Sequence, residues 1–199
     1  MSEIKHGITV VKKNDEYKPM QTAVKTTIGI VLPISEEAHK SGIEYNQPFL
    51  ILGSRKSAAM LDPSHSGIGM ALIFFNAIFN QSSAKIVVIP VKNHENNDVV
   101  VSNVIGGVDS EGNRSGLSCL EIAESKFGLK PGIIVCPGYS SFDPVRHAMA
   151  KIAEKLGAFC YCDIADGTIQ SVAAAGRNNT YKNCMMLYPS VQIYVPELG

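Results

Sequence analysis

The chain has 199 residues, of which 45% are apolar and 18% are charged, and its 18 basic residues balance its 18 acidic residues. This composition is typical of an ordinary globular chain with one substantial core or two small ones, and it excludes extensive disorder. The balanced charge excludes a global field that would draw the chain to nucleic acid or to an anionic membrane.

The N-terminal segment predicts a strand. Residues 7 to 12 are short and rich in β-branched side chains, and a polar stretch at residues 13 to 18 follows them. Two partners remain open for this strand: an edge of the chain's own sheet, which its terminal position favours, and the sheet of a neighbouring copy.

The chain is not expected to insert into a membrane. No long apolar core follows the first charged residues, so the N-terminus does not have the pattern of a secretory signal. The most apolar stretch, residues 70 to 79, is about half as long as a spanning helix needs to be.

Short elements are predicted along the first half of the chain from β-branched runs, helical periods and turn residues. They are a strand at 26–32 ended by Pro33, a strand at 48–52 ended by Gly53, a helical turn at 57–61, a helix at 64–79, a β-branched run at 99–105 and turn chemistry at 106–113.

Four nearly continuous apolar runs organise the second half, at residues 85–91, 132–136, 158–162 and 184–188. They lack the alternation of a strand with one wet face, so we expect strands covered on both sides. Helical periods at 115–128, 143–156 and 168–176 separate them. Repeated strand–helix–strand units predict right-handed crossovers and a layered α/β sandwich with a mostly parallel sheet, preceded by short N-terminal strands.

Two of these helices carry specific signals. Asp143 is predicted to cap the central helix, with Pro144 in its first turn and Gly157 as its left-handed stop. The helix that begins at Thr168 is expected to turn three apolar side chains inward, which are Ile169, Val172 and Ala173.

The five cysteines are predicted to be reduced and buried, because four of them lie inside apolar runs. Cys160 and Cys162 resemble half of a metal site, but a strand places both thiols on one face without a second pair, so core packing is favoured. The five histidines are scattered, and neither a metal nor a cofactor site is predicted.

The best enzymatic alternative is a small cysteine-dependent α/β hydrolase. Cys136 ends a predicted strand, where α/β enzymes often hold a nucleophile, and His147 and Asp163 complete a possible Cys–His–Asp set. His147 falls on the hydrophilic face of its helix, however, and no glycine-rich signature surrounds Cys136 to build an oxyanion site. No catalytic residue is therefore predicted.

Several stretches between residues 6 and 190 follow the motifs of one protein family in order and spacing. They are His6–Val11 with Thr26–Leu32, Asn46–Leu52, Val101–Gly107 followed by Gly112 and Ser115–Leu117, Leu129–Gly138, and Lys155–Phe159. Together they resemble the tail sheath protein of contractile-tailed bacteriophages and prophages, whose segments read, for example, "SN-I-IGG" and "GVKP-R-I-L-x-x-PG".

The resemblance implies a structural protein with no cofactor and no catalytic residue. Copies would stack as rings around a tail tube and contract to drive it through the host envelope. The implied partners are other sheath subunits, the tail tube protein and the baseplate, in a virion tail assembled in the host bacterial cytoplasm. Neither nucleic acid nor a membrane is an implied partner.

The resemblance also implies an arm that links subunits by strand exchange. Residues 1–20 would form this N-terminal arm, and residues 21–199 an α/β sheath core that is truncated relative to the family, whose members run to roughly twice this length. The linking strand would consist of Gly7, Ile8, Thr9, Val10, Val11 and Lys12. Alone, such a chain is expected to expose apolar surface and associate weakly without forming tubes.

Overall fold

The computed structural model describes residues 27–65, 71–164 and 167–189. Its strands are β1 (Thr27–Ile34), β2 (Phe49–Leu52), β3 (Lys85–Lys92), β4 (Gly107–Val108), β5 (Arg114–Ser115), β6 (Pro131–Val135), β7 (Phe159–Asp163) and β8 (Cys184–Leu187). Its helices are α1 (Glu36–Lys40), α2 (Arg55–Ala59), α3 (Ala71–Gln81), α4 (Asn97–Ile105), a 3-10 helix (Gly116–Ile122), α5 (Ala123–Phe127), α6 (Asp143–Leu156) and α7 (Ile169–Asn178).

The described strands form a six-stranded sheet in the order β2-β3-β1-β6-β7-β8 and a small β4-β5 hairpin. All neighbours in the large sheet are parallel except β2, which runs antiparallel to β3. Helices connect the parallel strands, because parallel neighbours require crossover connections. The predicted α/β architecture with a mostly parallel sheet is therefore confirmed.

Helices pack on both faces of the sheet. On one face, side chains such as Ile30, Leu32 and Ile86 bury against Phe75 of α3 and the residues of α1 and α2. On the other face, side chains of β1, β3, β6, β7 and β8 bury against α4, the 3-10 helix, α5 and α6. The result is a three-layer arrangement in which the centre of the sheet is covered twice.

Helix α6 confirms the predicted helical period but corrects its first residue. Phe142 occupies the cap position, and Asp143 is the first helical residue. The Asp143 carboxylate pairs with Arg146 at 2.7 Å, so it stabilises the first turn through an ion pair and not through a cap. Gly157 ends the helix in the left-handed conformation, as predicted.

The β-branched run at 99–105, whose residue types are typical of a strand, lies in a helix. The Asn96 side chain accepts a hydrogen bond from the backbone N–H of Asp98 at 2.8 Å and starts α4. Val100 and Val104, four residues apart, then lie on one helix face and are fully buried. Core packing of this face outweighs the modest helix propensity of valine.

Other boundaries also differ from those predicted. Strand β1 continues through Pro33 and pairs with β3 as far as Ile34. Ser64 and His65 lie in a turn, so the described part of the predicted 64–79 helix begins at Ala71. The predicted helix at 115–128 begins as a 3-10 helix and becomes α-helical only at Ala123, although its left-handed stop is at Gly128 as expected.

The predicted linking strand, residues 7–12, and the predicted boundary between residues 20 and 21 lie outside the described residues. Both remain predictions. Among the residues that the structure describes, no helix has the length and apolar content required to cross a membrane.

Candidate functional site

Two motif segments meet where α4 ends and the 3-10 helix begins. Gly106 and Gly116 have φ angles of +57° and +54°. A Cβ atom at Gly116 would lie 2.6 Å from the carbonyl oxygen of Asn103, and one at Gly106 would overlap the carbonyl group of Ser115. Backbone therefore packs directly on backbone at this point, which only glycine permits.

A third motif segment joins the same contact through Asn46. The side-chain oxygen of Asn46 accepts a hydrogen bond from the backbone N–H of Gly116 at 2.9 Å. The backbone N–H of Asn46 donates to the carbonyl oxygen of Pro90 at 2.8 Å. Asn46 has a φ of +59°, which asparagine adopts more readily than most residues. Asn103 also donates to the carbonyl of Lys92 at 3.0 Å. We call Asn46, Asn103, Gly106 and Gly116 the glycine junction.

Polar side chains hold the β4-β5 hairpin against this junction. The Ser118 hydroxyl lies 2.7 Å from the carbonyl oxygens of both Gly107 and Ser115. The Glu121 carboxylate pairs with Arg114 at 3.1 Å and with Lys155 of α6 at 2.7 Å. These contacts provide hydrogen-bond donors for backbone carbonyls and connect the hairpin to the 3-10 helix and to α6. The role of these residues is therefore structural.

The outer part of the sheet has one uncovered face. In β7 and β8 the side chains that point away from α6 include Phe159, Met185 and Leu187, which are 54%, 52% and 44% exposed. The registered pair Tyr161 and Met185 lies on the same face. The expectation that these strands are covered on both sides is therefore wrong within the described residues, because α1, α2 and α3 reach only β1, β2, β3 and the near side of β6.

Helix α7 does not bury the residues that its helical periodicity predicts to face the core. Ile169 is 79% exposed, and Val172 and Ala173 are only half-buried. The Thr168 hydroxyl caps the helix by accepting from the N–H of Ser171 at 3.3 Å. An amphipathic helix needs a partner for its apolar stripe, so the described part of the chain leaves α7 incompletely packed.

Cys136, His147 and Asp163 do not have the contacts of a catalytic set. Cys136 is 1% exposed, and burial raises the pKa of its thiol well above the ordinary 9.0. The His147 ring is exposed and packs edge-on against Tyr181, with 5.6 Å between ring centroids. The Asp163 carboxylate accepts from the Ser140 hydroxyl at 2.7 Å. A nucleophile needs an accessible thiolate, and the surroundings of Cys136 disfavour one.

Three thiols, of Cys160, Cys162 and Cys184, do converge. Their sulfur atoms all lie within 4.8 Å of one another, and we call them the thiol cluster. All five cysteines are free and buried, as predicted. Register brings Cys184 to the pair, since Cys184 of β8 lies directly beside Cys160 of β7. The sequence motif alone could not identify this third member, because strand register is not visible in residue spacing.

The thiols influence one another's ionisation. Hydrogen bonding with Cys160 and then with Cys162 lowers the pKa of the Cys184 thiol, burial opposes this change, and the Arg146 charge acts in the lowering direction. Hydrogen bonding with Cys160 and Cys184 raises the pKa of Cys162, and burial adds to this increase. Cys184 is the member of the cluster nearest the surface.

The described residues thus define an α/β domain with a packed motif junction, an open sheet edge at β8 and an uncovered apolar face. An uncovered apolar face of this kind is a candidate contact surface for further protein. No protein-family model matches the chain.

Comparison with curated proteins identifies its relatives. The chain is 31% identical to the prophage major tail sheath protein of Pseudomonas aeruginosa (strain UCBPP-PA14), with 95% of this chain and 48% of the relative aligned. It is 29% identical to the tail sheath protein of Escherichia phage P2 and 26% identical to the major tail sheath protein of Serratia phage KSP20, at the same two coverages.

Over nearly its whole length the chain is therefore similar to the tail sheath proteins of phages and prophages. It spans about half the length of the curated relatives it matches. The resemblance that the motifs indicated is confirmed.

Proposed function

We propose that the chain is a structural subunit of a contractile phage tail sheath, which assembles around a tail tube and contracts to drive it through the host envelope. The observation that carries this proposal is the similarity to tail sheath proteins over 95% of the chain. Its partners are other sheath subunits, the tail tube protein and the baseplate. Its location is the virion tail, after assembly in the cytoplasm of the host.

The uncovered sheet face supports this role as a contact surface. The relatives are named for a sheath, which is an assembly with many subunits, so we assign a second sheath subunit as the occupant of the face. Phe159, Met185 and Leu187 supply apolar area that gains free energy when water is excluded from it. Among the described residues no strand lies beyond β8, so the edge of this strand is available for pairing with the same neighbour.

The N-terminal arm, residues 1–20, is the second proposed contact. Gly7, Ile8, Thr9, Val10, Val11 and Lys12 would add a strand to the sheet of a neighbour, and residues 13–18 would connect that strand to the core at residues 21–199. Backbone hydrogen bonds suit this task, because strand pairing survives a change in the angle between subunits. Subunits linked in this way stay connected while the sheath shortens.

Immunogold labelling tests the proposed function. Cells that encode the chain are induced to release phage particles, and an antibody against residues 27–189 is applied to them for negative-stain microscopy. We expect labels along the tail in both extended and contracted particles. Unlabelled tails, with the chain found only in the cell lysate, would contradict the proposal.

Proline substitution tests the linking strand. Ile8→Pro with Val10→Pro removes two backbone N–H donors, so we expect at least a tenfold loss of the chain from purified tails, measured by quantitative mass spectrometry. Ile8→Ala with Val10→Ala keeps the donors and serves as the matched control. Equal incorporation of the proline and alanine variants would exclude strand exchange through these residues.

A further inference from the structure

We propose that the thiol cluster is a binding site for one soft, thiophilic metal ion, with Cu(I) as the ion that its ligands fit best. The three ligands are the sulfur atoms of Cys160, Cys162 and Cys184, and the Met149 thioether is the fourth sulfur within reach. This site is additional to the proposed sheath role and does not depend on it.

The sulfur positions match the geometry of such a site. A metal–sulfur bond of about 2.3 Å places thiolates about 3.8 to 4.0 Å apart in tetrahedral or trigonal coordination. The sulfurs of Cys162 and Cys184 are 3.6 Å apart, and all three thiol sulfurs lie within 4.8 Å of one another. Changes of up to about 1 Å in the sulfur–sulfur distances would bring the three sulfurs around one ion.

The ligand chemistry selects a soft ion. The sulfur of Met149 lies 3.9 Å from that of Cys162, on the side of the cluster that faces α6. Thiolate and thioether ligands together favour Cu(I), whereas hard ions require oxygen ligands. Hydrocarbon side chains could fill this part of the core equally well. The chain instead places four sulfur atoms together there.

Charge and access also suit a bound ion. Three thiolates around Cu(I) carry a net charge of −2, and Arg146 supplies a positive charge on α6, the helix that also carries Met149. Cys184 is 8% exposed, whereas Cys160 and Cys162 are fully buried. A cavity of about 370 Å³ lies beside β8 and is lined in part by Asn183, whose backbone carbonyl accepts a hydrogen bond from the Cys160 thiol at 3.4 Å.

Binding is a ligand exchange without electron transfer. Each metal–sulfur bond to a cysteine replaces one S–H bond, so three protons leave to solvent and copper remains Cu(I). Affinity should therefore increase with pH until the thiols are deprotonated.

Competition with a chromophoric Cu(I) chelator tests the proposal on the whole 199-residue chain under reducing, oxygen-free conditions. We expect one Cu(I) per chain, at least tenfold weaker binding in Cys184→Ala, and several-fold weaker binding in Met149→Leu. Cys119→Ala is the matched control, because Cys119 is equally buried but lies outside the cluster. Far-UV circular dichroism confirms that each variant is folded.

Two results would overturn the site. One is failure of the folded wild-type chain to take Cu(I) from the chelator. The other is equal Cu(I) affinity in Cys184→Ala and Cys119→Ala, which would assign any binding to thiols in general.

Discussion

Gly106→Ala is expected to reduce the free energy of unfolding by about 3 to 5 kcal/mol, measured by urea denaturation. Gly106 has a φ of +57° and a ψ of −148°, a backbone region that is essentially restricted to glycine. In addition, a Cβ at this position would overlap the backbone of Ser115 and lie 2.6 Å from the nitrogen of Gly116. Backbone strain and steric overlap therefore add.

Gly157→Ala is the matched control for that variant. Gly157 also has a positive φ, of +64°, but a Cβ there would meet no atom within 4 Å. We expect a loss of only about 1 kcal/mol, from the left-handed conformation alone. Similar losses in the two variants would show that the close backbone contact at the glycine junction contributes little.

Phe159→Lys combined with Met185→Lys is expected to weaken self-association of the chain at least tenfold, as measured by sedimentation velocity over a range of concentrations. Both side chains are about half exposed on the uncovered face. Burial of each against a neighbour is worth about 1.5 kcal/mol or more, and a charge placed there must instead be desolvated. The unfolding free energy of the chain should change by about 0.5 kcal/mol or less, because no described layer covers this face.

Val108→Lys provides the comparison for the double variant. Val108 is 55% exposed but lies on the β4-β5 hairpin, away from the uncovered face. We expect it to associate like the wild-type chain, and we expect neither protein to form long, regular tubes in negative-stain micrographs. Equal weakening by Val108→Lys would contradict the proposed contact surface. Regular tubes from the wild-type chain alone would contradict the expectation that it associates only weakly.

The sequence predicted the centre of the fold because local and tertiary signals agree there. The runs at β3, β6, β7 and β8 are apolar and short, and the period of α6 has a clear beginning and end. The helix at Val99–Ile105 is not evident from its residue types, because their local propensity opposes the tertiary environment. Val100 and Val104 form a helix since this places both of them in the core.

The candidate surfaces were harder to predict from residue order. Phe159 and Met185 are apolar whether or not a layer covers them, so their exposure depends on where α1, α2 and α3 lie. The contact between Gly106 and Gly116 depends on the β4-β5 hairpin that brings them together. The motifs named the residues of the glycine junction, but only the structure shows that they meet.

The two rims of the large sheet are not equivalent. At one rim β2 is antiparallel to β3, and at the other rim β8 is parallel to β7. A contact in which the β8 rim of one copy meets the β2 rim of another would therefore be directional and of the head-to-tail type. Repeated head-to-tail contacts that do not close into a ring generate a helix with a defined polarity.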